Sequence, residues 1–252
     1  MHDFHSHLDL CDRPLDVYTE AVKRNNFTLL VSVSPGAYVT ASKLFPPHPN
    51  LAIAPGLHPE IAHLKKSELP ILLKQIRTSP FVGEVGLDGS PQYRAHWDVQ
   101  LEVFRAALAA SAVAGGRVIS IHSRKAPRPV LDVLEEMPNC GTPVLHWFAG
   151  PIEQLERAAR MGCWFSVGPA MLVDSRGRDL AARMPRDRVV GETDGPYADV
   201  HGRPLMPWHA ESVPGQCAKL WGIPEAVAVR QMDENAAALR RLAPPIAPAL
   251  PQ

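Results

Sequence analysis

Eight short apolar runs recur along the chain, each closing on polar, glycine or proline residues. They are DFHSHLDL (3–10), LLVSVSPG (29–36), LAIAPGLHP (51–59), FVGEVGLDG (81–89), RVISIHSR (117–124), PVLHWFAG (143–150), CWFSVGP (163–169) and VVGETDGPY (189–197). Short runs rich in Val, Ile, Leu and Phe read as strands. Between most of them lie segments with helical spacing of apolar positions: PLDVYTEAVKRN, VQLEVFRAALAASAVA, PVLDVLEEM and PIEQLERAARMG. Pro129 and Pro151, which open the last two, suit a first helical position. Eight strands alternating with helices over 252 residues predict one (β/α)8 barrel. The expected domain covers residues 1–242, and the Pro-rich stretch 243–252 is expected to be an extended, disordered tail.

Charge changes the picture little. The chain carries 26 Lys and Arg against 26 Asp and Glu, so its overall field neither recruits nor repels a polyanion. Any attraction for nucleic acid must be local. Cys11, Cys140, Cys163 and Cys217 form no C-x-x-C pair and read as free thiols of a reducing compartment. No basic, then apolar leader opens the chain, and no stretch approaches the roughly 18 apolar residues of a membrane span. A cytoplasmic, monomeric protein with no membrane partner is expected.

The chemistry emerges at the strand ends, where barrels of this kind keep their active sites. Alternate strand residues share a face, so His5 and His7 are expected to converge while Phe4, Ser6 and Leu8 face away. Later strands end in His58, in Glu84 and Asp88, in His122, in His146, and in Glu192 and Asp194. Unpaired buried charges cost several kcal/mol each. A divalent cation removes that cost for converging carboxylates. The set His5, His7, Glu84, His122, His146 and Asp194 holds nitrogen and oxygen donors without sulfur, which favours Zn²⁺, Mn²⁺ or Mg²⁺. Six donors exceed the needs of one catalytic zinc and suit two metal ions bridged by a carboxylate, for which Glu84 is the natural choice. Such a pair activates water and suits phosphoester cleavage.

Five blocks in order, DFHSHLD, GEVGLD, IHSR, VLHWFAG and ETDGPY, resemble the TatD-type metal-dependent deoxyribonucleases, a family of amidohydrolase-like barrels. The resemblance runs from Asp3 to Leu239. It implies a metal-dependent DNA hydrolase in which the six residues above are the metal ligands and Asp194 also orients or deprotonates the attacking water. Glu84 stands where many amidohydrolases use a carboxylated lysine. The chain departs from the family at Lys125, where an acid is common, at Gly89-Ser90 after GLD, and at Trp147 in HWFAG. Together with DVHGRPLMPWHAES, these departures resemble a branch that includes the TatD-like component of the Qat anti-phage defence system, which would add other defence proteins as partners.

Candidate substrate groups are Arg124 and Lys125 directly after His122, His58 in GLHP, and Arg203 and Trp208 in the loop after the eighth strand. Arg and Lys suit phosphate contacts, and Trp208 could stack on a base. Each has a plainer reading: solvated rim charges, a supporting histidine, an aromatic that packs its loop down. The stretch SRGRDLAARMPRDR reads as a solvated helix face, with a nucleic-acid path as its alternative. Two other functions compete: hydrolysis of a cyclic amide, lactone or aminoacyl ester on the same scaffold, and a non-catalytic barrel subunit.

Overall fold

The computed structural model describes residues 1–245 and is built on eight parallel strands. They are β1 (His2–Ser6), β2 (Phe27–Val31), β3 (Leu51–Ala54), β4 (Phe81–Gly86), β5 (Arg117–His122), β6 (Gly141–His146), β7 (Trp164–Val167) and β8 (Val189–Gly191). Each lies within or beside a run expected from the sequence. The strands β1 to β3 form one ladder and β4 to β8 another. Backbone hydrogen bonds close both seams. Gly83 N–H donates to Pro55 O at 2.9 Å and Glu84 N–H to Ser32 O at 3.2 Å; at the other seam Asp194 N–H donates to His5 O at 2.8 Å. The expected barrel is present. One feature beyond the expectation is a short antiparallel hairpin of β9 (Asp199–Val200) and β10 (Arg203–Pro204).

The helices differ from expectation at their starts. The sixth (Pro127–Glu136) begins two residues before Pro129, and the seventh (Ile152–Arg160) is capped by Pro151 in extended backbone. Pro127 takes the early, donor-free position that the sequence pattern assigned to Pro129. Of the expected tail, residues 246–252 lie outside the described residues.

Period-2 alternation sorts the barrel. In β5, Ile119 and Ile121 face the surrounding helices with Leu145 and Phe165, while Val118, Ser120 and His122 face inward. The inner apolar layer takes Phe4, Phe27, Phe81, Val118, Val144, Trp164 and Val190 from seven strands, and Ala236 and Leu239 of the last helix (Glu225–Leu242) close that end. The N-terminal mouth is thus sealed with apolar packing. Polar inward residues can gather only at the other end.

Two register shifts break the alternation, one in β1 between Asp3 and Ser6 and one in β4 between Val82 and Val85. The first leaves Phe4 in the inner layer although its neighbour His5 also faces inward, stacked on His146, which corrects the expectation that the two face apart. The second aims Glu84 inward, three residues after the inward Phe81. Bulges re-aim side chains in this way next to functional sites. Close approach here demands glycine. A Cβ on Gly56 would lie 2.3 Å from Glu84 N, and one on Gly83 would lie 2.9 Å from Ser120 Cβ.

Candidate active site

The C-terminal mouth holds a buried cluster centred on Glu84. Its Oε2 lies 3.3 Å from both His5 Nε2 and His7 Nε2, and Asp194 Oδ1 lies 3.6 Å from the same two nitrogens. Its Oε1 faces the other way, 2.8 Å from His122 Nδ1, 3.3 Å from His58 Nε2 and 3.7 Å from His146 Nε2. The other five residues of the expected set come together around this carboxylate. His7 reaches it from just beyond β1, at the start of a short 3₁₀ turn (Leu8–Leu10), rather than from the strand itself.

Hydrogen bonds behind the imidazoles decide which nitrogens face the centre. Ser120 Oγ lies 2.7 Å from His5 Nδ1, and Glu192 Oε2 lies 3.0 Å from His146 Nδ1. With the proton on Nδ1, both rings turn an Nε2 lone pair inward, the arrangement by which metal-binding histidines are oriented. Ser166 Oγ donates to the same Glu192 oxygen at 2.5 Å. Asp88 Oδ2 accepts from His122 Nε2 at 2.8 Å, which leaves Nδ1 to face Glu84. His58 differs. Its Nδ1 accepts the Glu60 N–H at 3.2 Å, so Nε2 is left as a donor toward Glu84. Nearness to the cluster therefore does not make His58 a lone-pair ligand. Asp88, Glu192, Ser120 and Glu60 were not singled out for these supporting roles. Ser120 was legible, two residues before His122 on one strand face.

The cluster is electrostatically poised for cations. Burial opposes the charge on Glu84, but His58 and His5 outweigh it and hold the carboxyl well below its usual range. Burial likewise disfavours the charged His122, yet its bonds to Asp88 and Glu84 raise it to about 9. His146 is raised to about 10 against its burial by Glu192 and Asp194. Without metal, protons occupy positions that cations would take. Buried His5 Nε2 has no hydrogen-bond partner among the described residues. An unsatisfied imidazole nitrogen beside converging carboxylates, with no thiolate in the set, fits divalent metal ions.

A cavity of about 620 Å³ opens over the cluster. His7, His58, Glu60, Glu84, His122, Arg124, His146 and Asp194 supply its polar groups; Val33, Ile61, Trp147, Ala149 and Tyr197 supply its apolar wall. Residues 2–241 match the family described as TatD related DNase. The chain belongs to the TatD family.

TatD relatives resemble it over most of their length. A 3'-5' ssDNA/RNA exonuclease TatD of Pantoea vagans is 31% identical over 202 residues, covering 75% of this chain and 77% of the relative. A human deoxyribonuclease, TATDN3, is 28% identical over 257 residues, covering 93% and 92%. The crystal structure of YJJV, a TatD homologue of Escherichia coli, superposes with a TM-score of 0.85 at 22% identity, covering 95% of this chain and 97% of that one. That likeness supports the barrel fold.

The softer candidates separate. Arg124 and His58 line the cavity. Lys125 is exposed in left-handed backbone and Arg203 is exposed on β10; neither lines it. Trp208 packs against the small core of Leu8, Tyr18 and Phe45, with the Arg24 guanidinium 5.1 Å from its ring centre. The plain packing reading accounts for its placement. In the arginine-rich stretch, Arg176, Arg178, Arg186 and Arg188 donate to backbone carbonyls, and Arg183 pairs with Asp179. These arginines brace the fold. Trp147 and Tyr197, absent from the expected substrate set, do line the cavity, and each lies within one of the family-like blocks, VLHWFAG and ETDGPY.

Glu192 offers a direct test of the supporting shell. Glu192→Gln keeps the shape but removes the charge behind His146. Outer partners of this type typically contribute tenfold to a hundredfold in metal affinity. That loss is expected in competition with a metal-indicator dye.

Proposed function

We propose that this chain is a metal-dependent nuclease that hydrolyses phosphodiester bonds of single-stranded DNA at a two-cation centre. The observation that carries this is the position of Glu84, whose two oxygens face two separate groups of imidazoles. On one side His5, His7 and Asp194 would share an ion with Glu84 Oε2; on the other His122 and His146 would share one with Oε1. When bound, such ions of Zn²⁺, Mn²⁺ or Mg²⁺ supply Lewis acidity and ready formation of hydroxide. The names of the relatives, an exonuclease acting on ssDNA and RNA and a deoxyribonuclease, support a nucleic-acid substrate.

The chain's own groups then have distinct tasks. Asp194, the most accessible carboxylate of the set at 15% side-chain exposure, takes the proton of the attacking water on its carboxylate. With a cation on Glu84 Oε1, His58 Nε2–H would be released to donate toward a phosphoryl oxygen, and Arg124 would meet a phosphate at the rim. Wall residues Val33 and Ile61 exclude bulk water from one side. The catalytic unit is the barrel over residues 1–242, and its four free cysteines, three of them buried, suit a reducing cytoplasm. Work within anti-phage defence is a finer reading carried by the departures at Gly89, Ser90, Lys125 and Trp147.

The experiment compares end-labelled single-stranded DNA with dihydroorotate as substrates, each with Mn²⁺ or with chelator. Metal-dependent shortening of the strand is expected. Hydrolysis of dihydroorotate instead would assign the site to the amide-cleaving alternative.

A further inference from the structure

Charge is a poor explanation for how a strand enters this cavity. Cationic and anionic residues balance at 26 each. Among the described residues lining the cavity, Arg124 is the one with a permanent positive charge, and Glu60 Oε1 stands 3.8 Å from its guanidinium. The wall offers aromatic surface instead. Tyr197 is 64% exposed and meets His7 edge-on, with ring centres 5.0 Å apart. Trp147 stands at φ 37, in the left-handed region where a bulky side chain is an outlier.

Backbone strain of that kind persists only where the surroundings impose it, and it concentrates at functional sites. Here the surroundings are identifiable. Glu192 Oε1 accepts the Trp147 N–H at 3.1 Å while its Oε2 holds His146 Nδ1 at 3.0 Å. The indole stands nearly perpendicular to the His146 ring, at 89° with centres 6.5 Å apart. One buried carboxylate thus sets both an imidazole of the cluster and a tryptophan beside it.

We propose that Trp147, together with Tyr197, is a stacking platform for the nucleobases next to the scissile bond. The strand is then held by its base faces more than by its backbone charge. This rests on the nuclease reading. Stacking is tolerant of sequence because every base has a π face, and it favours single strands, whose faces are free.

The test compares kcat/KM for a single-stranded oligonucleotide with that for a strand of equal length carrying abasic sites throughout. Stacking predicts that the wild type prefers the intact strand by roughly ten- to a hundredfold, chiefly through KM. Trp147→Ala should pull that ratio toward one, and Trp147→Phe should restore most of it. The KM of the wild type should also rise gently with salt, with a log–log slope near the ~0.7 of a single neutralised phosphate. A wild-type ratio near one overturns the platform without needing any variant. A large ratio that survives Trp147→Ala overturns it too, and moves base recognition elsewhere. A wild type that cleaves neither strand rejects the nuclease reading itself, a result distinct from both.

Discussion

Glu84→Gln should lower turnover by about a thousandfold or more while the barrel stays folded. A metal pair contributes several kcal/mol of charge stabilisation in the transition state, and each 1.36 kcal/mol is about tenfold in rate. Gln keeps the volume of Glu84, so no cavity opens. It replaces one of the two oxygens with an NH₂ group that faces imidazole nitrogens, and it removes the negative charge between the two groups of histidines. Without that counter-charge, His122 loses one of the two bonds that keep it protonated and becomes neutral more readily. The fold survives because the inner apolar layer, from Phe4 to Val190, and the helix-facing core make no use of Glu84. Circular dichroism and a thermal melt check the fold; initial rates on single-stranded DNA check the chemistry. Turnover within tenfold of wild type would remove Glu84 from the centre of the mechanism.

Metal removal should abolish hydrolysis and also change how stability depends on pH. His122 and His146, lifted to about 9 and about 10, stabilise the metal-free fold fully below the unfolded value of 6.5. That contribution disappears as pH rises through their folded values. Glu84, held below its unfolded value of 4.5, contributes above that pH and loses its contribution as pH falls. The metal-free protein is therefore most stable between about 4.5 and 6.5 and weakens toward alkaline pH. Cations must displace the two imidazole protons, so uptake near pH 7 releases up to about two protons and strengthens as pH rises. At a metal concentration of about 100 Kd the loaded fold gains ~2.7 kcal/mol. For a chain of this size that is a rise in Tm of roughly 5–10 °C. Melts of chelated and reloaded protein at pH 6 and pH 8.5 should show the larger gain at the higher pH. An equal gain at both would mean that these histidines are not the groups displaced.

Much of this molecule is legible in its sequence because the relevant signals are local. Eight apolar runs separated by helical segments specify a barrel, since each run must bury both faces of its strand and each helix one stripe. The location of His5, His7, Glu84, His122, His146 and Asp194 near or just beyond the C-terminal ends of their strands brings them to one mouth, because parallel strands put all those ends on the same side. Turn chemistry was less legible: Pro127, not Pro129, opens its helix, since either proline satisfies the local preference.

The tertiary structure alone decided the aim of individual side chains. Strict alternation places Glu84 opposite Phe81 and separates Phe4 from His5; bulges in β4 and β1 reverse both, and a bulge arises from pairing with a neighbouring strand. The tautomers of His5, His58 and His146 depend on Ser120, Glu60 and Glu192, of which the first and last are remote in sequence from the histidines they orient. Rim residues separated for the same reason. Lys125 and Arg203 stand close in sequence to the cluster but outside the cavity, whereas Trp147 is turned to line it by a backbone bond to Glu192, 45 residues away. The sequence determined which donors meet, because strand direction carries that information. Only the folded chain determined what each donor faces, because hydrogen-bond partners and register are properties of neighbours brought together by folding.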